Sequence, residues 1–154
     1  MRDKHIASGG KRRPACPEEA VFLNLLRTCD LLYRRVIQVL KAEDLSPTQY
    51  NVLRILRGTP EGLPSGEIAN RMITRDPDVT RLLDRLEHRG LILRSRETKD
   101  RRVVMARITP RGLKRLARLD GPVEEVHCGQ LRHLGKERLR VLAELLAAAR
   151  AKVG

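Results

Sequence analysis

"DPDVTRLLDRLEHRGLILRSRETKDRRVVMARITPRG", from Asp76 to Gly112, changes period in the middle. Up to Arg89 the apolar residues Val79, Leu82, Leu83 and Leu86 recur at helical spacing. Asp76 reads as an N-cap, Pro77 as the first helical residue, and Asp78 as a carboxylate favoured by the helix dipole. Gly90 is a helix stop, so a helix is predicted over 77–89. Beyond it, 91–94 and 103–108 are strand-like and flank a polar tip at 95–102. That is a β-hairpin. Thr109 then caps a further helix, with Pro110 at its first position.

Upstream, Ser65 can cap a short helix over 66–72, with Ile68, Ala69 and Met72 facing inward. Ser46-Pro47-Thr48-Gln49 carries the pattern of a capping box, and Gly58 and Pro60 end the helix that it opens. A long helix is predicted over 18–42, with an apolar stripe from Val21, Phe22, Leu25, Leu26 and Cys29 to Val36, Val39 and Leu40. Gly121-Pro122 predicts a kink or break. Helical patterns follow over 123–134 and 136–152, separated by Gly135. The fold class is therefore mostly α with a small β-hairpin. Its central order of helix, turn, helix and hairpin is that of a winged helix-turn-helix.

Composition bounds the partners. The 154 residues carry a net charge of +13, and 41% are apolar but only 2% aromatic. Residues 71–115 hold 14 cations against 6 carboxylates, so eight of the thirteen net charges lie in under a third of the chain. A basic excess so placed suits a polyanion. The first 14 residues add five cations with no apolar period, and 1–17 reads as a disordered basic arm. No apolar run approaches the roughly 18–20 residues that cross a bilayer. With no signal-peptide pattern and three scattered cysteines, the expectation is a cytoplasmic protein without membrane, metal or cofactor. His127, Cys128, Glu124 and His133 lack metal-ligand spacing and read as surface histidines beside a core cysteine. Phosphate loops, nucleophile elbows and paired carboxylates are missing, so an enzyme is not expected.

The layout assigns roles. The helix over 77–89 presents Asp78, Arg81, Asp84, Arg85 and His88 outward, with Thr80 at the edge. Arg81 can make a bidentate contact to guanine, and Thr80 can meet a thymine methyl or a phosphate. Asp84 is a candidate to position Arg81 or Arg85 through an ion pair. The hairpin cations Arg96, Lys99, Arg101 and Arg102 face phosphates, or Arg101 enters the minor groove. Ser65, Asp78, Thr80, Arg81, Arg85 and these four cations make up the DNA-binding set. An amphipathic surface helix with a solvated charged face shows the same pattern in isolation. The order of neighbouring elements favours the DNA reading. A dimeric helical module without DNA binding is the rival, and the few aromatics argue against single-stranded RNA.

The stretches "IANRM", "VTRLLDRLEHRGLILR" and "KDRRVVMARITPRG" resemble the MarR family of bacterial transcription regulators, over roughly residues 45–119. The most specific part is Asp100-Arg101-Arg102 followed by Ile108-Thr109 and Gly112, with Ile108 where the family usually has Leu. The resemblance implies that Arg101 is the wing arginine and that Asp100 supports the wing base through an ion pair. It implies a homodimer built from helices in 18–45 and 110–154 around a DNA-binding unit at 46–109. A two-fold dimer implies a near-palindromic operator with half-sites about one turn, ~34–36 Å, apart. It further implies repression relieved by a small aromatic or anionic effector in a crevice near Tyr33 and Tyr50. An alternative is oxidation of a cysteine near the first helix. Cys16, beside Arg12 and Arg13, and Cys29 are the candidates, although Cys29 on the apolar stripe reads as a buried small hydrophobe.

Overall fold

A computed structural model describes residues 15–96 and 103–152. The elements run α1 (Pro17–Lys41), α2 (Pro47–Arg57), β1 (Leu63–Pro64), α3 (Ser65–Arg71), α4 (Val79–His88), β2 (Ile92–Arg96), β3 (Val104–Ile108), α5 (Pro110–Leu131), a 3-10 turn (Arg132–Leu134) and α6 (Gly135–Ala151). The three strands form an antiparallel sheet in the order β1-β3-β2. Ile92 pairs with Ile108 and Arg96 with Val104. No helix among the described residues is long and apolar enough to cross a membrane.

Local chemistry accounts for most element boundaries. The Ser46 hydroxyl accepts from the Gln49 amide while the Gln49 side chain accepts from the Ser46 amide, closing the capping box. Thr109 caps α5 by accepting from the Gly112 amide. Gly90, at φ +67°, ends α4 in a Schellman arrangement: the Gly90 amide donates to the Glu87 carbonyl and the Leu91 amide to the Leu86 carbonyl. Leu91 starts the approach to β2 immediately, so α4 and the hairpin are joined without slack.

Other boundaries depart from expectation. Asp78, not Asp76, caps α4, accepting from the Arg81 amide at 2.9 Å. Asp76 instead accepts from the Asp78 amide one turn earlier, and Pro77 lies before the helix. Two competing caps were available, and the one nearer the first unbonded helical amides prevails. Ser65 is the first residue of α3 rather than its cap; Pro64 occupies the cap with no side-chain bond. The α5 helix continues through Pro122 instead of breaking there. Gly121 has no Cβ to meet the ring of the following proline, which eases the clash that usually pushes the residue before a proline out of the helix. β1 was not anticipated, because a two-residue strand has no alternation to read.

The core joins Leu40, Leu45, Val52, Leu53 and Leu56 to Ile68, Leu82, Leu83, Leu86, Leu91 and Ile92, with Leu116 and Leu119 of α5 closing it. Burying a leucine of this kind contributes about 1.5–3 kcal/mol before entropy is counted. The core belongs to one half of the chain. Only Val36 and Leu40 of α1 are buried, and α6 has no buried residue. At ~1.5 Å per residue, α1 is about 37 Å long and its N-terminal half extends past the core. This corrects the reading of Cys29, which is exposed. Cys128, read as a core residue, is exposed as well.

Candidate nucleic-acid interface

The α4 helix buries Leu82, Leu83 and Leu86 and leaves Thr80, Arg81, Asp84, Arg85 and His88 exposed. The 3.6-residue period alone produces this division. Asp78 holds the start of the helix, and its second oxygen lies 3.4 Å from Arg81 Nε. Asp78 is therefore engaged with its own helix and directs the adjacent arginine.

At the other end, the Arg89 side chain donates to Asp44 at 3.0 Å and to the Gln49 side chain at 3.3 Å. These bonds tie the end of α4 to the α1–α2 corner. The Asn51 side chain accepts from the Ile73 amide at 2.8 Å, which anchors the turn between α3 and α4 to α2. Ser65 opens α3 at the end away from this turn, and Arg96 lies exposed at the end of β2. Lys99, Asp100, Arg101 and Arg102 lie outside the described residues.

The residue that sequence reading missed is Arg94. Its Nε donates to Glu87 at 2.8 Å, its amide donates to the other Glu87 oxygen at 3.0 Å, and its Nη2 reaches Asp84. Asp84 therefore does not hold Arg81 or Arg85, as expected; it pairs across to the hairpin. A signal existed in the sequence. Arg94 is two residues from Ile92, so strand alternation puts both on the face turned toward the helices.

The Arg94 side-chain bond is the main reason that the Glu87 carboxyl is held below the usual carboxylate range; burial opposes it. The contact stabilises fully above the unfolded value, about 4.3. It is lost as pH falls through the lower folded value. Thermal midpoints of the wild type and Glu87→Gln are expected to differ at neutral pH and to converge as pH falls through the lowered value of the folded state. A constant gap through the acid range would remove Glu87 ionisation from the explanation.

A second feature is a crevice of about 420 Å³ between α1, α5 and the α3–α4 turn, lined by Cys29, Tyr33, Val36, Ile73, His127 and Gln130. Burial pushes the Tyr33 phenol up. Tyr50 is not part of this crevice. It is buried in the core, with the Arg54 guanidinium 5.8 Å from its ring centre. No group of three or more His, Cys, Asp or Glu side chains suited to a metal ion is present among the described residues.

Comparison with known proteins gives the same architecture. A family model described as "MarR family" matches residues 45–104. The crystal structure of a MarR transcription factor from Planctomyces limnophilus is 40% identical, with a TM-score of 0.67, covering 89% of this chain and 99% of that one. The transcriptional repressor CouR, solved bound to a 23-mer DNA duplex, is 28% identical with a TM-score of 0.74, covering 91% and 99%. The HTH-type transcriptional regulator FarR of Neisseria gonorrhoeae is 27% identical over 130 residues, 83% of this chain and 87% of that protein.

Proposed function

This chain belongs to the MarR family of transcription regulators, and on that footing we propose how it recognises DNA. The α4 helix enters the major groove, the hairpin follows the backbone, and two copies address a near-palindromic operator. The protein is a DNA-binding transcription regulator, and its family is one of regulators rather than enzymes. We take 46–109 as the reading unit, and 18–45 with 110–154 as the dimerisation unit.

One observation carries the reading. Exposed Thr80, Arg81 and Arg85 lie on a helix whose opposite face is locked in the core, whose start is capped by Asp78 and whose C-terminal end is tied through Arg89 to the α1–α2 corner. Base reading needs side chains held in register by a rigid support. Arg81 is assigned to a guanine edge, and Thr80 and Arg85 to bases or phosphates. Ser65, Arg96, Lys99 and Arg102 are assigned to phosphates, and Arg101, supported by Asp100, to the minor groove. Asp78 acts by holding Arg81. The solved CouR complex with a DNA duplex supports DNA as the partner.

Regulation is assigned to the crevice at Tyr33. Ile73 and Thr74 on one wall lead directly into α4, while Cys29 and His127 on the other belong to α1 and α5. A small aromatic or anionic effector there would alter the spacing of the two reading heads and relieve repression.

The test is fluorescence anisotropy with the duplex upstream of the protein's own gene and a scrambled duplex, across a salt series. Tight binding to the first, with weak and steeply salt-dependent binding to the second, is expected. Equal affinity for both would reject sequence-specific reading. Arg81→Ala is expected to cost ~1–3 kcal/mol of discrimination at one operator position. A loss shared equally by both duplexes would reassign Arg81 to a phosphate.

A further inference from the structure

We propose that Arg94 is a positioning residue for DNA reading, which pairs with both carboxylates of α4, offsets one of their two charges, and fastens the hairpin to it. The inference rests on the DNA-reading role assigned to α4 above. Within Val79–His88, Arg81 and Arg85 are opposed by Asp84 and Glu87, so these four side chains add no net charge to the helix. Duplex DNA presents one negative charge per ~1.7 Å of axis. A neutral helix with an exposed carboxylate between its two arginines is a poor surface for that partner.

Arg94 changes the balance from outside the helix. Its side chain is only 23% exposed, and it meets Glu87 at 2.7 Å as well as Asp84. Glu87 holds Arg94 at two points, the guanidinium through Nε and the strand through the backbone amide. The fixed guanidinium then holds Asp84, on the exposed face, by one oxygen. One cation thus serves two carboxylates spaced three residues apart on one helix face. The same bonds cross from α4 to β2, so helix and hairpin present a single basic surface in a fixed relative position. Arg94 touches the carboxylates rather than the bases, and its effect on recognition passes through them.

The experiment uses the full chain and a duplex that the protein selects from a random-sequence pool. Anisotropy across a salt series compares the wild type, Arg94→Ala, Asp84→Asn, and the triple variant Arg94→Ala/Asp84→Asn/Glu87→Gln. Arg94→Ala is expected to weaken binding roughly tenfold or more. The triple variant is expected to recover to within about threefold of the wild type, although the arginine is still missing. Asp84→Asn alone is expected to tighten binding, because it removes a carboxylate and leaves the cation. Loss at Arg94→Ala that the triple variant does not recover would overturn the proposal and make Arg94 itself a phosphate contact. Weaker binding by Asp84→Asn with an altered base preference would overturn it in favour of Asp84 accepting from a cytosine amino group. If Arg94→Ala fails to fold, the triple variant still decides, since it lacks the arginine and both carboxylates: binding near the wild type supports the proposal and lost binding overturns it. Failure of the wild type to select any duplex would instead reject the DNA reading on which the proposal rests.

Discussion

Gly112→Ala is expected to lower stability by about 2–3 kcal/mol. At fixed protein concentration that corresponds to a fall of roughly 5–10 °C in thermal midpoint. An added Cβ would lie 2.3 Å from the Leu91 carbonyl oxygen and 2.8 Å from Ile108 Cγ1. The carbonyl cannot turn aside cheaply, because it accepts from the Thr109 amide at 3.0 Å. Thr109 is itself engaged: its hydroxyl donates to the Gly90 carbonyl and accepts from the Gly112 amide. Three elements, α4, β3 and α5, therefore meet at a point with no room for a methyl group. Helix propensity acts the other way, favouring alanine by up to about 1 kcal/mol, and the clash with the fixed carbonyl outweighs it. Gly129→Ala, in the same helix with nothing within 4 Å of the new Cβ, is the control and should be neutral or slightly stabilising. A midpoint for Gly112→Ala equal to that of Gly129→Ala would show that the corner yields.

The second large effect is expected from Phe22→Asp. Phe22 and Val21 are each 59% exposed in the single chain, Leu26 is 54% exposed, and Leu145 of α6 is 63% exposed. Uncovered apolar residues on two long helices are the face on which two copies would pair in the dimer proposed above. A buried aromatic can contribute 150–250 Å² to such an interface, and a carboxylate in its place must be desolvated. Phe22→Asp is expected to yield a monomer by light scattering at micromolar concentration. Operator affinity should fall ~10²- to 10⁴-fold, because two heads no longer bind as one molecule. The reading unit should keep its own fold, since Phe22 contributes little to its core. A variant that remains dimeric and binds normally would show that these helices do not join the two copies.

The parts that were legible in the sequence share a physical cause. Caps, stops and periodicities are settled within about one turn of helix. Ser46 with Gln49, Thr109 with Gly112, and Gly90 after Arg89 could be read because both partners lie within four residues of each other. The outward set Thr80, Arg81 and Arg85 followed from the helical period once Leu82, Leu83 and Leu86 were recognised as the inner face. A choice between two nearby caps, Asp76 and Asp78, was already harder, since both satisfy the same local rule.

The parts that were not legible depend on which faces meet. The partner of Asp84 lies ten residues away on a strand, not on its own helix. Tyr50 and Tyr33 look alike as helical tyrosines, yet one enters the core and the other lines a crevice, because α2 is packed into the core whereas most of α1 lies outside it. Cys29 belongs to an apolar stripe, but its helix extends beyond the core of the single chain, so the stripe does not imply burial. Gly112 illustrates both levels. Its place three residues after the capping Thr109 is a local pattern, whereas its intolerance of a side chain comes from the Leu91 carbonyl, 21 residues earlier in the chain. Short-range hydrogen bonds and periodicity thus define the helices and the outward face of α4. Long-range packing sets the charge balance on that face, the crevice beside it and the corner that holds helix, hairpin and α5 together, because each of these joins groups that only the folded chain brings within a few ångströms.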